Sequence, residues 1–424
     1  VVNESGKKIL LVGGGISGIT AAYVLSRRHT VTLLERNEYL GGHTNTRVVE
    51  DPINPQLSVD TGFIVCNSRN YINFYKFLDQ LGVARQDSDM SFGFSCEKTG
   101  LTYMGPSVRE FLMAPGNLLN SRFLGMVVEQ QRFNRRALRD LREGRLGEQP
   151  LGEYLKAVGT SQYFFDNYLA PLIGSIWSAP DSNALEFPAL SFFTFFQNHG
   201  MLEMSTRPQW QTIVGGSHAY LKAFRGAFKG DLRIGTPAQA IARDNDGVVL
   251  SLQGAAPERY DAVVIATHAD EALKLLADPS PEEQAALGSW GYSKNRTVLH
   301  TDARVLGPKR RLWAAWNYRR RINARADSPV AITYYMNKLQ RLKAQRDYFV
   351  TLNALEDIDP RTVLYEVEYT HPIYTPQSPI SQRAIRDLNG TRNTYFCGAY
   401  MRYGFHEDGV ISALQVTQQM GVSL

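Results

Sequence analysis

The chain has 424 residues, 43% of them hydrophobic and 21% charged, which excludes a disordered protein and leaves room for two or three folded domains. Its three cysteines, Cys66, Cys96 and Cys397, are too few and too scattered for a disulfide framework or a zinc cluster, so no metal is expected. The net charge of +5 is mildly basic, and with no reader motif beside it nucleic acid is not an expected partner.

The first ordered pattern runs from Lys8 to Thr46. Ile9 to Val12 is a short unbroken apolar run, as in a strand buried on both faces. Gly13, Gly15 and Gly18 follow as G-x-G-x-x-G, with Ile16, Ile19 and Tyr23 at helical spacing. A second apolar run, Val31 to Leu34, ends at Glu35. Gly13 permits a tight turn, Gly15 lets the backbone approach a pyrophosphate, and Gly18 lets the helix pack closely on the strand. The pyrophosphate then sits at the helix N-terminus, where unpaired N–H groups carry about half a positive charge, and Glu35 accepts from a ribose hydroxyl. A lone G-x-G-x-x-G reads equally as a glycine-rich turn. Strand, glycines, helix, strand and acid in this order read as a dinucleotide site.

Residues 70–83 form an amphipathic pattern that ends at Gly82, and Met90 to Tyr103 shortens to strand-like runs broken at Gly93 and Gly100. Ser107 to Gly159 is helical, interrupted near Pro115-Gly116 and at Gly144. Arg132, Arg135, Arg136, Arg139, Arg142 and Arg145 lie within it, and Arg319 to Arg321 form a second basic run. Each reads as a solvated face or as a surface for anionic lipid or an acyl headgroup. Residues 161–200 are aromatic-rich, mostly as helical core, with a minority available to line an apolar cavity. The longest apolar-aromatic stretch there, around Phe192 to Phe196, is too short to span a bilayer. Gly215-Gly216 precedes a helix over Ala219–Phe228, and Arg233–Arg243, Val248–Leu252 and Asp261–Ala266 are strands. His268 reads as a strand-end residue. Further on come a strand at Thr297–His300, the Trp313 to Tyr318 stretch, a helix near Lys338–Gln345, a strand at Thr394–Gly398 and a helix from Val410. With no signal segment ahead of Lys8, the sparse cysteines point to a reducing, cytoplasmic setting.

Gly41-Gly42-His43-Thr44 follows Glu35, and Val59-Asp60-Thr61-Gly62-Phe63 comes shortly after. In this order the chain resembles the flavin amine oxidase and phytoene desaturase superfamily, where such segments carry the chain from adenosine to the isoalloxazine ring. The resemblance implies FAD. The matching positions are Gly13, Gly15, Ile16, Ser17, Gly18, Glu35, Arg36, Gly41, Gly42, His43, Thr44, Gly62, Phe63, Ala238, Thr267, Gly398, Ala399, Glu407, Asp408, Gly409 and Val410. Ala238 matches the small residue whose backbone faces adenine. His43 stands where arginine is usual, which removes a fixed charge near the pyrophosphate. Asp408-Gly409-Val410 matches the turn before the superfamily's last helix, whose N-terminal N–H groups favour the anionic, reduced flavin.

Two catalytic candidates follow from the resemblance. His406 stands where amine oxidases often carry an aromatic of their substrate cage. It reads either as a proton carrier beside the flavin or as a structural loop histidine. Arg296 aligns with a lysine that holds a water near the flavin's reactive nitrogen. An arginine is a poor proton shuttle, which implies slow reaction with dioxygen. Glu407 and Asp408 read as helix caps.

A narrower resemblance covers nearly the whole chain. It is to bacterial flavoproteins with Gly-Gly-His-Thr (41–44), Leu-His-Thr-Asp (299–302), Trp-Asn-Tyr (316–318), Tyr-Met-Asn (335–337) and Gly-Phe-His-Glu-Asp-Gly (404–409). The group also looks like the N-terminal flavin domain of plant cyclopropane fatty acid synthases, which implies lipid chemistry.

The expected fold class is α/β. A Rossmann-type FAD-binding domain of amine oxidase topology, from residues 1–75, 205–290 and 385–424, interleaves with an α+β substrate domain from 76–204 and 291–384. The expected function is FAD-dependent removal of a hydride from a C–H bond of an apolar, acyl-lipid substrate. A flavin-containing amine oxidase, and a flavoprotein without net redox (an isomerase or a structural partner), are the alternatives. The electron acceptor is left open.

Overall fold

Ile9, Leu10 and Leu11 have no solvent exposure because their strand, Lys8–Val12, lies in the middle of a parallel sheet covered on both faces. Thr30–Leu34 and Ala262–Ile265 flank it, and Asp231–Arg233 and Thr394–Phe396 form the edges. In chain order this is a 3-2-1-4-5 sheet, a doubly wound arrangement whose ligand crevice lies beyond the strands' carboxyl ends. The computed structural model describes residues 6–424 apart from 106–113, 178–180, 203–207, 245, 324, 326–330 and 354–357. The start of the helical stretch expected from Ser107 therefore lies outside the described residues.

A second, seven-stranded sheet runs Val363–Ile373, Gly291–His300, Phe349–Leu352, Ile332–Tyr335, Trp316–Arg320, Phe92–Cys96 and Thr102–Gly105. Only the Trp316–Arg320 and Phe92–Cys96 pair is parallel. One face of this sheet turns toward the nucleotide-binding half, where Tyr369 Oη lies 2.9 Å from Thr61 Oγ1. A helical layer containing Ser121–Arg142, Ala170–Trp177 and Ala189–Asn198 completes this half, and Phe192, Phe193, Phe195 and Phe196 are each at most 2% exposed within it. No described helix is long and apolar enough to cross a membrane.

Several local expectations need correction. The strand expected over Arg233–Arg243 is two strands in different sheets, because Gly235 at φ +64 turns the chain between Asp231–Arg233 and Ala238–Asp244. Gly93 does not break its strand. It lies inside Phe92–Cys96, where a Cβ would come within 3.0 Å of Asn317 Oδ1. The helix near Lys338 is only Met336–Leu339, since Arg341 takes φ +50 just beyond it. The boundary expected at 385 falls inside the helix Ser378–Leu388. That helix belongs with Pro281–Gly288, because Ser381 Oγ donates to Ala286 O at 2.7 Å and accepts from Trp290 Nε1 at 2.8 Å.

Candidate active site

The first helix, Ile16–Leu25, starts from Gly15 with no side-chain cap and no acid in its first turn. Its first N–H groups are thus left for an anion. Gly13 takes φ +106, and a Cβ on Gly18 would lie 1.8 Å from Gly13 O, so strand, turn and helix pack closely here. A Cβ on Gly15 would meet nothing within 4 Å, which leaves open space in front of the helix N-terminus. Glu35, 5% exposed, braces this turn: Oε2 accepts from Gly14 N and Oε1 from Asn37 N, both at 2.8 Å.

The Gly41-Gly42 turn returns over the same spot. Gly41 N donates to Gly14 O at 2.9 Å, and a Cβ on Gly42 would lie 3.4 Å from Gly15 Cα. Thr267 Cγ2 would lie 3.2 Å from a Cβ on Gly13, which places Thr267 against the same turn. Thr236 N donates to Glu35 O at 2.9 Å, so the chain passes the end of the second strand just before Ala238. Arg36 points outward, paired with Glu271 at 2.8 Å.

The last helix is His406–Gln419, so it begins four residues before the expected Val410. The cause is Asp408, whose Oδ2 accepts from Phe405 N at 3.0 Å and closes the N-terminus around the His-Glu-Asp triplet. Gly409 therefore lies inside the helix, against Ser17 and Ile16 of the first helix. Ser412, on the same helix, accepts from Gly398 N at 3.1 Å and holds the turn that leads into Ala399. Val410 is fully buried. Glu407 is committed as well, accepting from Asn73 N at 3.0 Å and Phe74 N at 2.8 Å.

His406 Nε2 lies 2.9 Å from Thr44 Oγ1, and Thr44 Oγ1 is 2.5 Å from Tyr220 Oη. The imidazole stacks on Phe63 with centroids 3.6 Å apart and meets the edge of Phe74 at 5.8 Å. Burial pushes its pKa down to about 3, so it is neutral at ordinary pH. Asp60, from the Asp-x-Gly segment, anchors the helix His218–Ala227, taking Ser217 N at 2.9 and 3.0 Å and Gln340 Nε2 at 2.7 Å. Burial raises it to about 6. Gly62 could not carry a side chain, since its Cβ would lie 2.1 Å from His43 O.

Two features escaped sequence reasoning. Tyr220 joins the His406 network from the helix after Gly215-Gly216, and only its nearness to that glycine pair signals it. His268 and His371 gather around His43, with ring centroids 6.3 and 5.2 Å away, and Tyr369 stacks on His43 at 4.9 Å. Desolvation lowers all three histidines, His371 to about 4. The alternation of Tyr369 and His371 on one strand is the signal that could have found this cluster. Among the described residues no group of His, Cys, Asp or Glu could hold a metal.

Arg296 is not brought to the site, and its expected role is corrected. Its side chain is 56% exposed and pairs with Glu366 on the outer sheet face. Strand alternation turns its neighbours Asn295 and Thr297 inward, where Asn295 Nδ2 donates to His371 Nδ1 at 2.9 Å.

These residues fit FAD. The uncapped helix start and the open space before Gly15 suit a pyrophosphate, with Glu35 beside the ribose position. His43 Nε2 is a buried polar atom with no partner in the protein. Cys397 is fully buried with its thiol pushed up to about 12, which makes it inert toward covalent attachment.

Comparison with known proteins agrees with this geometry. The family described as flavin containing amine oxidoreductase matches residues 16–313. The L-amino-acid oxidase BmooLAAO-I of Bothrops moojeni is 25% identical over 315 residues, 70% of this chain and 59% of that oxidase. Cinnamate reductase of Clostridium sporogenes is 56% identical over 41 residues, 9% of this chain and 6% of that enzyme. The chain thus spans less than two thirds of the length of these relatives. The fold recurs in a CLA-producing fatty acid isomerase from P. acnes, with TM-score 0.71, 15% identity and coverage of 98% of this chain and 99% of that one. It recurs in cyclohexylamine oxidase from Brevibacterium oxydans IH-35A, with TM-score 0.70, 13% identity and coverage of 98% and 100%. With the family match spanning most of the chain and the glycine turn, Glu35 and last helix converging on one crevice, this protein belongs to the flavin-containing amine oxidoreductases.

Proposed function

We propose that the chain removes a hydride from a C–H bond of an apolar, acyl-lipid substrate. The observation that supports this reading is that the acids beside His406 are all committed. Asp60 is held by Ser217 and Gln340, Glu407 by Asn73 and Phe74, and Asp408 by Phe405 N and Arg402 Nε. The titratable groups around them, His406, His43, His268 and His371, are imidazoles that burial keeps neutral. A cationic amine entering here would give up its hydration beside carboxylates that already accept from the protein, whereas each buried methylene of an acyl chain contributes about 0.8 kcal/mol. The wall beside the last helix is aromatic as well: Phe405 stacks on Phe195 at 4.8 Å and meets Trp177 at 6.4 Å. Trp313 packs elsewhere, against Tyr335 and Phe349.

Bound FAD supplies the hydride acceptor. His406 serves the chemistry as a neutral group that fixes Thr44 and Phe63, since a base at about 3 takes few protons at neutral pH. Anaerobic titration is the test. Long-chain fatty acids and acyl phospholipids should perturb or bleach the flavin band while a panel of primary and secondary amines leaves it unchanged. Bleaching by a small amine would instead assign amine oxidation. An isomerase reading is kept because a fatty acid isomerase shares the fold; conversion of an acyl substrate with no external electron acceptor would favour it.

A further inference from the structure

From the helical layer of the substrate half we infer that the turn Pro115–Leu119 and the helix Ser121–Arg142 form a docking surface for an anionic phospholipid bilayer. The helix buries Phe123, Met126, Phe133, Ala137 and Asp140 on one face. On the opposite face, Leu124, Val128, Arg132, Arg135, Arg139 and Arg142 recur at spacings of three and four, all exposed. That stripe is graded: aliphatic over its first turns and arginine over the rest.

The aliphatic end extends into the preceding turn, where Leu119 is 93% exposed and Leu118 42%, beside Leu124 at 42% and Val128 at 49%. Twelve large hydrophobic side chains are exposed among the described residues, and four lie between 118 and 128, so this is a patch rather than scatter. The basic end is mostly uncompensated. Arg136 and Arg145 reach Asp140 at 3.6 and 2.9 Å, Arg145 also pairs with Glu143, and Arg139 reaches Asp140 only at 3.9 Å. Arg122, Arg132, Arg135 and Arg142 make no ion pair among the described residues.

An aliphatic tip with a run of unpaired guanidinium groups behind it matches a leaflet of acyl chains under a phosphate plane. The leucines enter the headgroup boundary while the arginines meet lipid phosphates. Positive charge spread along the exposed stripe of a helix of this length suits a surface of many phosphates better than a single bound ion. The inference stands apart from the acyl-lipid reading, because a docked enzyme could act on any substrate.

The test is co-sedimentation of the FAD-loaded protein with vesicles of phosphatidylcholine alone and of phosphatidylcholine mixed with phosphatidylglycerol. The protein should sediment with the anionic vesicles only, and salt should release it. Each arginine near an anionic leaflet is worth roughly fivefold in partition, so Arg132→Glu with Arg135→Glu should reduce binding by more than about twentyfold. Leu118→Ser with Leu119→Ser should weaken it too. Lys222→Glu with Arg225→Glu, on the exposed side of another helix, should not, and an unchanged flavin spectrum reports that each variant is folded. Equal binding to neutral vesicles, no binding to anionic ones, or full binding by the arginine variant would overturn the inference. So would a dimer in light scattering that the leucine variant abolishes, which would assign the patch to a second copy of the chain.

Discussion

Gly409 of the last helix lies against Ser17 of the first: a Cβ at 409 would come 2.7 Å from Ser17 Oγ and 2.9 Å from Ile16 Cγ2. The two helix N-termini that frame the flavin crevice are therefore spaced by the absence of one methyl group. Gly409→Ala should gain about 1 kcal/mol of helix propensity and lose about 1–3 kcal/mol to overpacking. Overall stability should thus fall by no more than about 2 kcal/mol while FAD affinity falls, because the helices must part. Ser17→Ala removes the closer of the two atoms and should restore part of the affinity in the double variant. Denaturant unfolding and FAD fluorescence titration measure the two quantities; a Gly409→Ala protein with unaltered FAD affinity would show that the spacing is not used.

Glu35→Gln is nearly isosteric, yet it should behave as a severe change. Both Glu35 oxygens accept from backbone N–H groups, Gly14 and Asn37, and a glutamine has only one oxygen to offer. Its NH2 would face a buried donor. Loss of one such hydrogen bond costs about 1–3 kcal/mol, so the FAD dissociation constant should rise roughly fivefold to 150-fold. Equilibrium titration of the stripped protein with FAD checks this, and an affinity equal to that of the parent would remove Glu35 from the site.

The span from Lys8 to Glu35 was legible because its chemistry is local: glycine turn, helix start and acid lie within one strand–helix–strand unit. The surroundings of His406 were not. Thr44 is 362 residues away in sequence and Tyr220 186, and no local pattern reports such a meeting. The start of the last helix was placed too late because Glu407 and Asp408 read as caps ahead of it, whereas Asp408 caps Phe405 N from inside the helix's first turn. Arg296 was assigned inward because a motif alignment carries no record of strand parity. Which face of Gly291–His300 points at the nucleotide half depends on its pairing with Val363–Ile373. A shift of one residue reverses every side chain on the strand.

Acid should destabilise the protein before its carboxylates titrate as a class. His406 is lowered to about 3, and His371, His300 and His199 to about 4, each mainly by burial. Between about 6.5 and 4 the unfolded chain takes up these protons and the folded chain does not, so stability falls as pH falls. Asp60 and Asp408, raised by burial to about 6, oppose this, because the folded state holds their protons up to that pH. Burial also lowers His43, His218 and His268 and raises Glu407, so seven histidines stand against three acids and the fall in stability on acidification wins. His406→Gln should flatten the slope by about one proton. Urea midpoints across this range measure it, and stability that is flat or rises on acidification would contradict the burial of the histidines.

The last prediction concerns Arg296 and the face it occupies. Its guanidinium pairs with Glu366 on the outer side of the sheet, while Asn295 and Thr297 turn toward His371 and the nucleotide half. If a residue of this strand governs how reduced flavin meets dioxygen, it must be one of the inward pair. Arg296→Lys and Arg296→Ala should therefore leave the reoxidation rate of photoreduced enzyme within about twofold of the parent, the usual reach of an exposed surface pair. Asn295→Lys places an amine on the inward face and removes the donor to His371, so it should change both the flavin spectrum and the reoxidation rate. Stopped-flow mixing of the reduced proteins with dioxygen gives both readings. A tenfold acceleration in Arg296→Lys, with Asn295→Lys silent, would mean that the strand presents its other face to the flavin.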